Sequence, residues 1–244
     1  MSQSAPRVVS LVPSVTETLV GWGVPPVACT RFCEQPDLPH VGGTKDPDVA
    51  AIAALAPDLV VLCVEENRRE DAEALAAAGV VTASLAIDGV ADVGPALHML
   101  ATLAGVGDRA AADLDRLDAV AVGAADVPAP RLRAFVPIWK RPWMTLSGGT
   151  YGSSLLAAVG VANVYADATV RYPTVTLDEV RDRRPDVVLA PSEPYPFAER
   201  HVPLFADLAP VVLVDGQDLF WWGRRTPAAI DRLREQLAGV DPAR

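Results

Sequence analysis

Short apolar runs recur along this chain, and most are followed by a stretch with helical spacing. In the first third they are "RVVSLVP" (7–13), "PPVACT" (25–30), "DLVVLCV" (58–64) and "VVTASL" (80–85). Runs of this length, rich in Val and apolar on both faces, predict buried strands of a parallel sheet. Between them lie predicted helices. "SVTE" after the first run is read as a capping box, with Ser14 as N-cap and Glu17 at N3, and that helix ends at Gly21 and Gly23. "DPDVAAIAALAP" predicts a helix with Pro47 in its first turn, and 66–78 a helix stopped by Gly79. Strand and helix alternating in this way predict an α/β domain.

From about Val90 to Val122 the pattern changes to Ala-, Leu- and Asp-rich helical periodicity, broken around "GVGD" (105–108). Two prolines in "ADVPAPR" (125–131) end it. The α/β pattern then resumes with "RLRAFVPIW", "GSSLLAAVGVANVYA", "TLDEVRDRRPDVVLAP" and "VVLVDG", and a closing helix spans about 227–237. The two halves resemble each other. "IAALAPDLVVLCVEE" (52–66) parallels "VRDRRPDVVLAPSEP" (180–194), and "TLVGWGVPPVA" (18–28) parallels "LLAAVGVANVY" (155–165). A repeat at half the chain length predicts duplicated lobes. The expected organisation is an N-terminal lobe (1–89), a helical linker (90–130) and a C-terminal lobe (131–244). Two Rossmann-like lobes with mostly parallel sheets, joined by a long helical segment, predict a ligand cleft between them.

Charge and cysteine content narrow the function. A net charge of −10 disfavours nucleic acid and anionic membrane surfaces as partners. No apolar run approaches the roughly 18 residues needed to span a bilayer. The start of the sequence shows no signal peptide, so a cytoplasmic protein is expected as written, and a periplasmic or cell-surface one if a native leader has been removed. The three cysteines, Cys29, Cys33 and Cys63, predict reduced thiols rather than a disulfide framework. No second Cys/His pair completes a metal site with the C-x3-C of Cys29 and Cys33, and neither a metal nor an intrinsic cofactor is expected.

The aromatic residues carry the functional signal. Four of the five tryptophans, Trp139, Trp143, Trp221 and Trp222, fall in segments that follow predicted strands, as do Tyr151, Tyr172 and Tyr195. Beside them stand Lys140, Arg141, Arg224 and Arg225. Rings clustered with cations predict a wall for a bulky, flat ligand bearing negative groups. The predicted ligand-binding residues are Arg31, Phe32, Trp139, Arg141, Trp143, Tyr151, Tyr172, Tyr195, Trp222 and Arg224. Trp221 is assigned to packing and Arg225 to a salt bridge at the start of the last helix. "SGGTYGSS" (147–154) lacks the Lys-Ser/Thr of a P-loop and the frame of a nucleophile elbow. His98 is read as structural and His201 as a helix cap. No catalytic constellation emerges; an enzyme acting on a metal complex would have to use Cys33, Glu65, Glu193 or His201.

"RVVSLVPSVTETLVGWGV", "HVGGTKDPDVAAIAALAPDLVVLC" and "YPTVTLDEVRDRRPDVVLAP" resemble the helical-backbone metal receptor superfamily over nearly the whole chain. These are substrate-binding proteins for cobalamin, ferric siderophores and haem that serve ABC importers. The resemblance implies two lobes bridged by one long, rigid helix. It also implies a non-enzymatic, monomeric receptor for a metal chelate, with a corrinoid the first candidate. Docking on an ABC permease in that family uses one acidic residue per lobe. The matching positions here are Ala50 and Asp178, so half of the pair is missing, and the chain resembles a leaderless branch of the superfamily. A degenerate module that regulates a partner is the remaining alternative.

Overall fold

The computed structural model describes residues 6–124 and 129–242. The chain divides into two compact units, Met1–Ile87 with Asp92–Asp118, and Asp88–Ala91 with Ala119–Arg244.

The first unit is a parallel sheet with crossover helices. Its elements are β1 (Val8–Ser10), α1 (Pro13–Gly21), β2 (Ala28–Cys29), α2 (Val49–Ala54), β3 (Leu59–Cys63), α3 (Arg69–Ala77) and β4 (Thr82–Leu85). The strands lie in the order β2-β1-β3-β4 and every pairing is parallel. Val9, Leu11, Val60 and Leu62 fill the core together with Ile52 and Leu75 from the helices. Two helices follow, α4 (Val90–Leu103) and α5 (Gly107–Ala124). The helical segment is thus present, but as two helices rather than the single one the resemblance implied. Gly105 takes a left-handed φ of +66, and the Gly105 and Val106 amides bond back to Thr102 and Ala101, which closes α4. The Trp22 indole donates to Asp113 at 3.0 Å and Arg109 donates to the Gly23 carbonyl at 3.2 Å, which ties α5 to the end of α1. The expected proline break falls partly on 125–128, outside the described residues.

The second unit repeats the design with additions. It contains β5 (Leu132–Phe135), β6 (Trp143–Met144), α6 (Tyr151–Ala158), β7 (Val161–Asn163), β8 (Thr174–Val175), α7 (Leu177–Asp182), β9 (Val187–Pro191), β10 (Val211–Val214), α8 (Gly216–Phe220) and α9 (Thr226–Leu237). Its parallel sheet runs β7-β5-β9-β10, the order of β2-β1-β3-β4. The duplication read from the sequence is therefore a duplication of topology. Two differences stand out. A 3-10 segment, Glu199–Phe205, replaces the third crossover helix, and β6 and β8 form an antiparallel ribbon with no counterpart in the first unit.

The repeated Pro-Asp corner explains why the resemblance is strongest there. Ala56 and Arg184 hold left-handed φ values of 44 and 48, which turn the end of each helix into the following proline. Asp58 then accepts the Arg7 amide at 2.7 Å, and Asp186 accepts the Arg133 amide at 2.7 Å. The Arg7 and Arg133 guanidiniums cap the preceding helices at the Leu55 and Arg183 carbonyls, at 2.9 and 2.8 Å. Both arrangements begin the central ladder of their sheet.

Local readings shift in two places. α1 starts at Pro13, with Val12 rather than Ser14 at the N-cap, because proline lacks the amide that a cap would satisfy and brings the φ of a first turn. In α2 the cap is Asp48, which accepts the Ala51 amide at 2.9 Å, so Pro47 precedes the helix instead of opening it. His98 stands on the exposed face of α4, 3.1 Å from Asp118, not against an apolar face.

Removing either corner carboxylate has a defined cost. Asp58→Ala and Asp186→Ala should each lower unfolding free energy by about 1–2 kcal/mol, the low end for charge-assisted hydrogen bonds because neither carboxylate is buried. Thermal denaturation should show similar losses from the two lobes; a null effect at either would remove the corner from the account of the fold.

Candidate functional site

In parallel α/β sheets, ligands bind beyond the carboxyl ends of the strands, so the loops leaving those ends are the first place to look. In the first lobe, one buried amide arranges them. Asn67 accepts the Cys63 amide at 2.8 Å and donates to the Leu11 and Thr44 carbonyls at 3.2 and 2.9 Å. It thereby joins the loops after β1 and β3 to the long 31–45 loop. That loop presents Arg31 and Phe32. The Arg31 guanidinium grips Asp46 with two bonds of 3.1 and 3.0 Å and lies 4.8 Å from the centroid of the Phe32 ring, which is half exposed. Lys45 donates to the Glu65 carbonyl at 2.7 Å.

The second lobe has its own organising amide, Asn163, which donates to the Leu146 carbonyl and Ser153 hydroxyl at 2.8 and 3.2 Å. It fixes the start of α6, whose cap is Thr150. Upstream, Trp139 and Met144 pair across a tight turn that carries Lys140 and Arg141. Here the structure gathers three predicted residues. Trp139, 44% exposed, meets Tyr195 edge-on at 5.7 Å, and Tyr195 lies 4.7 Å from Phe197. Trp143 stacks parallel to Phe197 and contacts Phe205 at 5.4 Å, with the Lys140 ammonium 6.0 Å from its ring. The outer rings are available to a ligand while the inner ones root them in the core.

His201 locks the inner edge. Its Nδ1 accepts the Ala198 amide at 3.1 Å, the cap expected of it, and its ring meets Tyr195 and Phe197 edge-on at 5.5 Å each. Burial, and then the positive charges of Arg200 and Lys140, hold its pKa below the ordinary imidazole range. Among the described residues no group of three or more His, Cys, Asp or Glu side chains is placed to hold a metal ion.

Comparison with known proteins decides the family. The sequence model of the periplasmic binding protein family matches residues 8–197. The chain belongs to the periplasmic binding protein family. A vitamin B12-binding protein of Pectobacterium carotovorum subsp. carotovorum (strain PC1) is 27% identical over 252 residues, covering 97% of this chain and 90% of the relative. The periplasmic vitamin B12 binding protein BtuF of Vibrio cholerae shares the fold at a TM-score of 0.80 and 23% identity, covering 96% and 97% of the two chains. The periplasmic heme-binding protein BhuT, solved with two hemes, does so at 0.82 and 23%, covering 97% and 99%. The two-lobed α/β architecture of this binding protein is that of these neighbours. Among its described residues no helix is long and apolar enough to cross a membrane.

The remaining predicted residues divide between interior and surface. Tyr151 is buried at the first turn of α6, its hydroxyl 2.9 Å from Thr226, and burial raises its pKa. Trp222 is only 3% exposed, whereas Trp221 is half-buried with Arg225 over its ring at 5.4 Å. Trp222, the expected ligand contact, is thus buried, and Trp221, assigned to packing, lies nearer the surface. α8 takes up Asp218–Phe220 of a segment read as loop, and Trp221 is its C-cap. Arg225 forms the expected salt bridge, to buried Asp218 at 3.4 Å, while Arg232 binds the same carboxylate at 2.6 Å. Tyr172 is half-buried and Arg224 exposed. Asp178 is exposed at the second position of α7 and pairs with Arg181; Ala50 is at the second position of α2.

Trp222→Ala should cost about 3–5 kcal/mol of stability, as for other buried aromatic truncations, and Trp139→Ala under about 1.5 kcal/mol. Equal losses in chemical denaturation would contradict this assignment. For His201, the depressed pKa means that the stability it contributes is fully present above about pH 6.5 and is lost as pH falls through its folded value. An NMR titration should place its midpoint below the ordinary imidazole value, with the Tyr195 and Phe197 ring signals moving in step.

Proposed function

We propose that this chain is a non-enzymatic receptor for a bulky metal chelate, with a corrinoid the first candidate and haem or a ferric siderophore next. The observation that carries this reading is the half-exposed Trp139, braced edge-on by Tyr195 and flanked by Lys140 and Arg141 beyond the carboxyl end of β5. An anchored ring beside cations suits a ligand with a flat apolar face and acidic substituents. The vitamin B12-binding relatives and the heme-binding fold neighbour supply two chelates of that chemistry. Arg31 and Phe32 on the first lobe, and Tyr172, Trp143 and Arg224 on the second, complete the proposed contacts. Trp221 replaces Trp222 in that set, and Tyr151 supports it from inside.

The chelate arrives as cargo, so no intrinsic cofactor is assigned. The enzymatic reading is weakened because His201 is already committed to a structural bond and Cys33 is buried. The proposed partner is an ABC permease in the periplasm or at the cell surface, engaged by a monomer. Asp178 is the docking residue of this reading, and docking is one-sided because Ala50 carries no charge.

Tryptophan fluorescence titrated with cobalamin, haem and a ferric siderophore tests the function directly. One of the three should quench it saturably, and Trp139→Ala should weaken that affinity about tenfold to thirtyfold, the effect of losing an aromatic anchor. Folded protein that responds to none of them would overturn the receptor reading.

A further inference from the structure

The 31–45 loop folds back so that its end meets its beginning. Gly42 pairs with Pro47 at a left-handed φ of +91, and the Arg31 amide donates to the Gly42 carbonyl at 2.9 Å. Three successive residues are then tied down: the Thr44 carbonyl to Asn67, the Lys45 ammonium to the Glu65 carbonyl, and the Asp46 carboxylate to Arg31. The last of these is a two-toothed pair, in which Nη1 and Nη2 of Arg31 each donate to their own carboxylate oxygen. It lies against Gly43. A Cβ there would stand 2.7 Å from Arg31 Nη2 and closer still to an Asp46 oxygen, so glycine leaves the pair its room.

This arrangement sets the charge that the first lobe offers to a ligand. The Arg31 side chain is 48% exposed, and the bonds to Asp46 leave some of its N–H groups over. Its charge, however, is already matched. The Lys45 ammonium is committed to a backbone carbonyl, and the segments 31–48 and 64–67 at this end of the sheet hold six carboxylates against these two cations. A neutral oxygen acceptor can take the remaining N–H groups without repulsion. A carboxylate has to share the guanidinium with Asp46 and approach a like charge at close range.

We propose that Asp46 is a specificity-determining residue: by holding Arg31 it makes the first lobe take uncharged carboxamide substituents of a metal chelate in preference to free carboxylates. The inference rests on the receptor reading and deepens it. A corrinoid, rimmed with carboxamides, suits this surface, and haem with its ionised propionates does not. Phe32, its ring centroid 4.8 Å from the guanidinium carbon, supplies the apolar contact beside the paired charge. The second lobe is the opposite case, since Lys140 and Arg141 stand in the turn between Trp139 and Met144. Acidic substituents are thereby assigned to the second lobe and amides to the first. The Arg31–Asp46 pair is exposed, so its influence is that of one screened charge, about twofold to fivefold in affinity.

Matched ligands isolate the effect. Tryptophan quenching is titrated with cobalamin and a cobalamin monocarboxylic acid, with haem dimethyl ester and haem, and with a ferric hydroxamate lacking or bearing a free carboxylate. In the unaltered chain the uncharged member of the pair that binds should bind more tightly. Asp46→Asn keeps the shape of the side chain, frees the Arg31 charge, and should lower the ratio of the acid's Kd to that of its uncharged counterpart by about twofold to fivefold. Arg31→Gln leaves Asp46 without its partner and should raise the same ratio. Both shifts should shrink at high salt. If Asp46→Asn leaves the ratio unmoved, or changes both affinities equally, Asp46 only shapes the loop, and the inference is overturned while binding itself stands. An unaltered, folded chain that binds neither member of any pair overturns the receptor reading, and the inference falls with it.

Discussion

In each lobe the central parallel ladder starts from a single carboxylate. Asp58 receives the amide just before β1 and Asp186 the second amide of β5, and Arg7 and Arg133 return from those same points to cap the helix before the corner. The chain direction, the end of one helix and the register of two strands are thereby set at once. In a parallel sheet no hairpin turn is available to do this work, since successive strands are joined by long crossovers. With the amino ends fixed, the carboxyl ends project their loops to a common side. There the polar backbone that leaves the ladder needs partners, and Asn67 and Asn163 supply them. Loops with candidate ligand contacts are thus placed by two buried amides and two corner carboxylates.

The two lobes use this frame differently. The first keeps three short crossovers and a long loop, and its candidate surface is small: an arginine already paired with Asp46, beside one exposed ring. The second inserts a ribbon and a 3-10 segment, and between them grows an aromatic layer from Phe135 and Phe205 in the core to Trp139 at the surface. The proposed recognition chemistry is therefore concentrated where the second lobe departs from the repeat, while the shared elements carry the sheet frame. Charge follows the same division. Asp218, buried, is held by two arginines inside the second lobe, whereas Lys140 and Arg141 stand at the turn beside the rings.

The sequence made the fold legible because its strands are buried on both faces and its corners repeat. Apolar runs bounded by Gly and by Pro-Asp leave few alternatives, and the repeat in sequence is matched by a repeat in strand order. The site was legible only in part. Trp139, Trp143 and Tyr195 could be grouped because they sit on post-strand segments rich in rings, and the alternate spacing of Tyr195 and Phe197 in "PYPF" was the one signal for the inner layer. The burial of the tryptophan pair ran opposite to expectation, because a five-residue helix just before it leaves too little periodicity to read. Tyr151 illustrates the same limit: a ring beside glycines looks like a loop residue until the helix that begins with it turns it inward.

One feature of the second sheet bears on the life of the protein before it is folded. β10 is an edge strand of four consecutive apolar residues, Val211–Val214, three of them only half-buried. Its sequence is as close to a self-pairing template as any in the chain, for it is β-branched, uncharged and free of proline. What guards it is local: Pro210 removes a donor immediately upstream, the 3-10 segment packs against it, and Asp215 ends it with a charge. A chain in which that segment forms late would expose this edge to other copies of itself. The yield of soluble protein then depends less on the recognition surface than on how promptly seven residues of irregular helix reach their place.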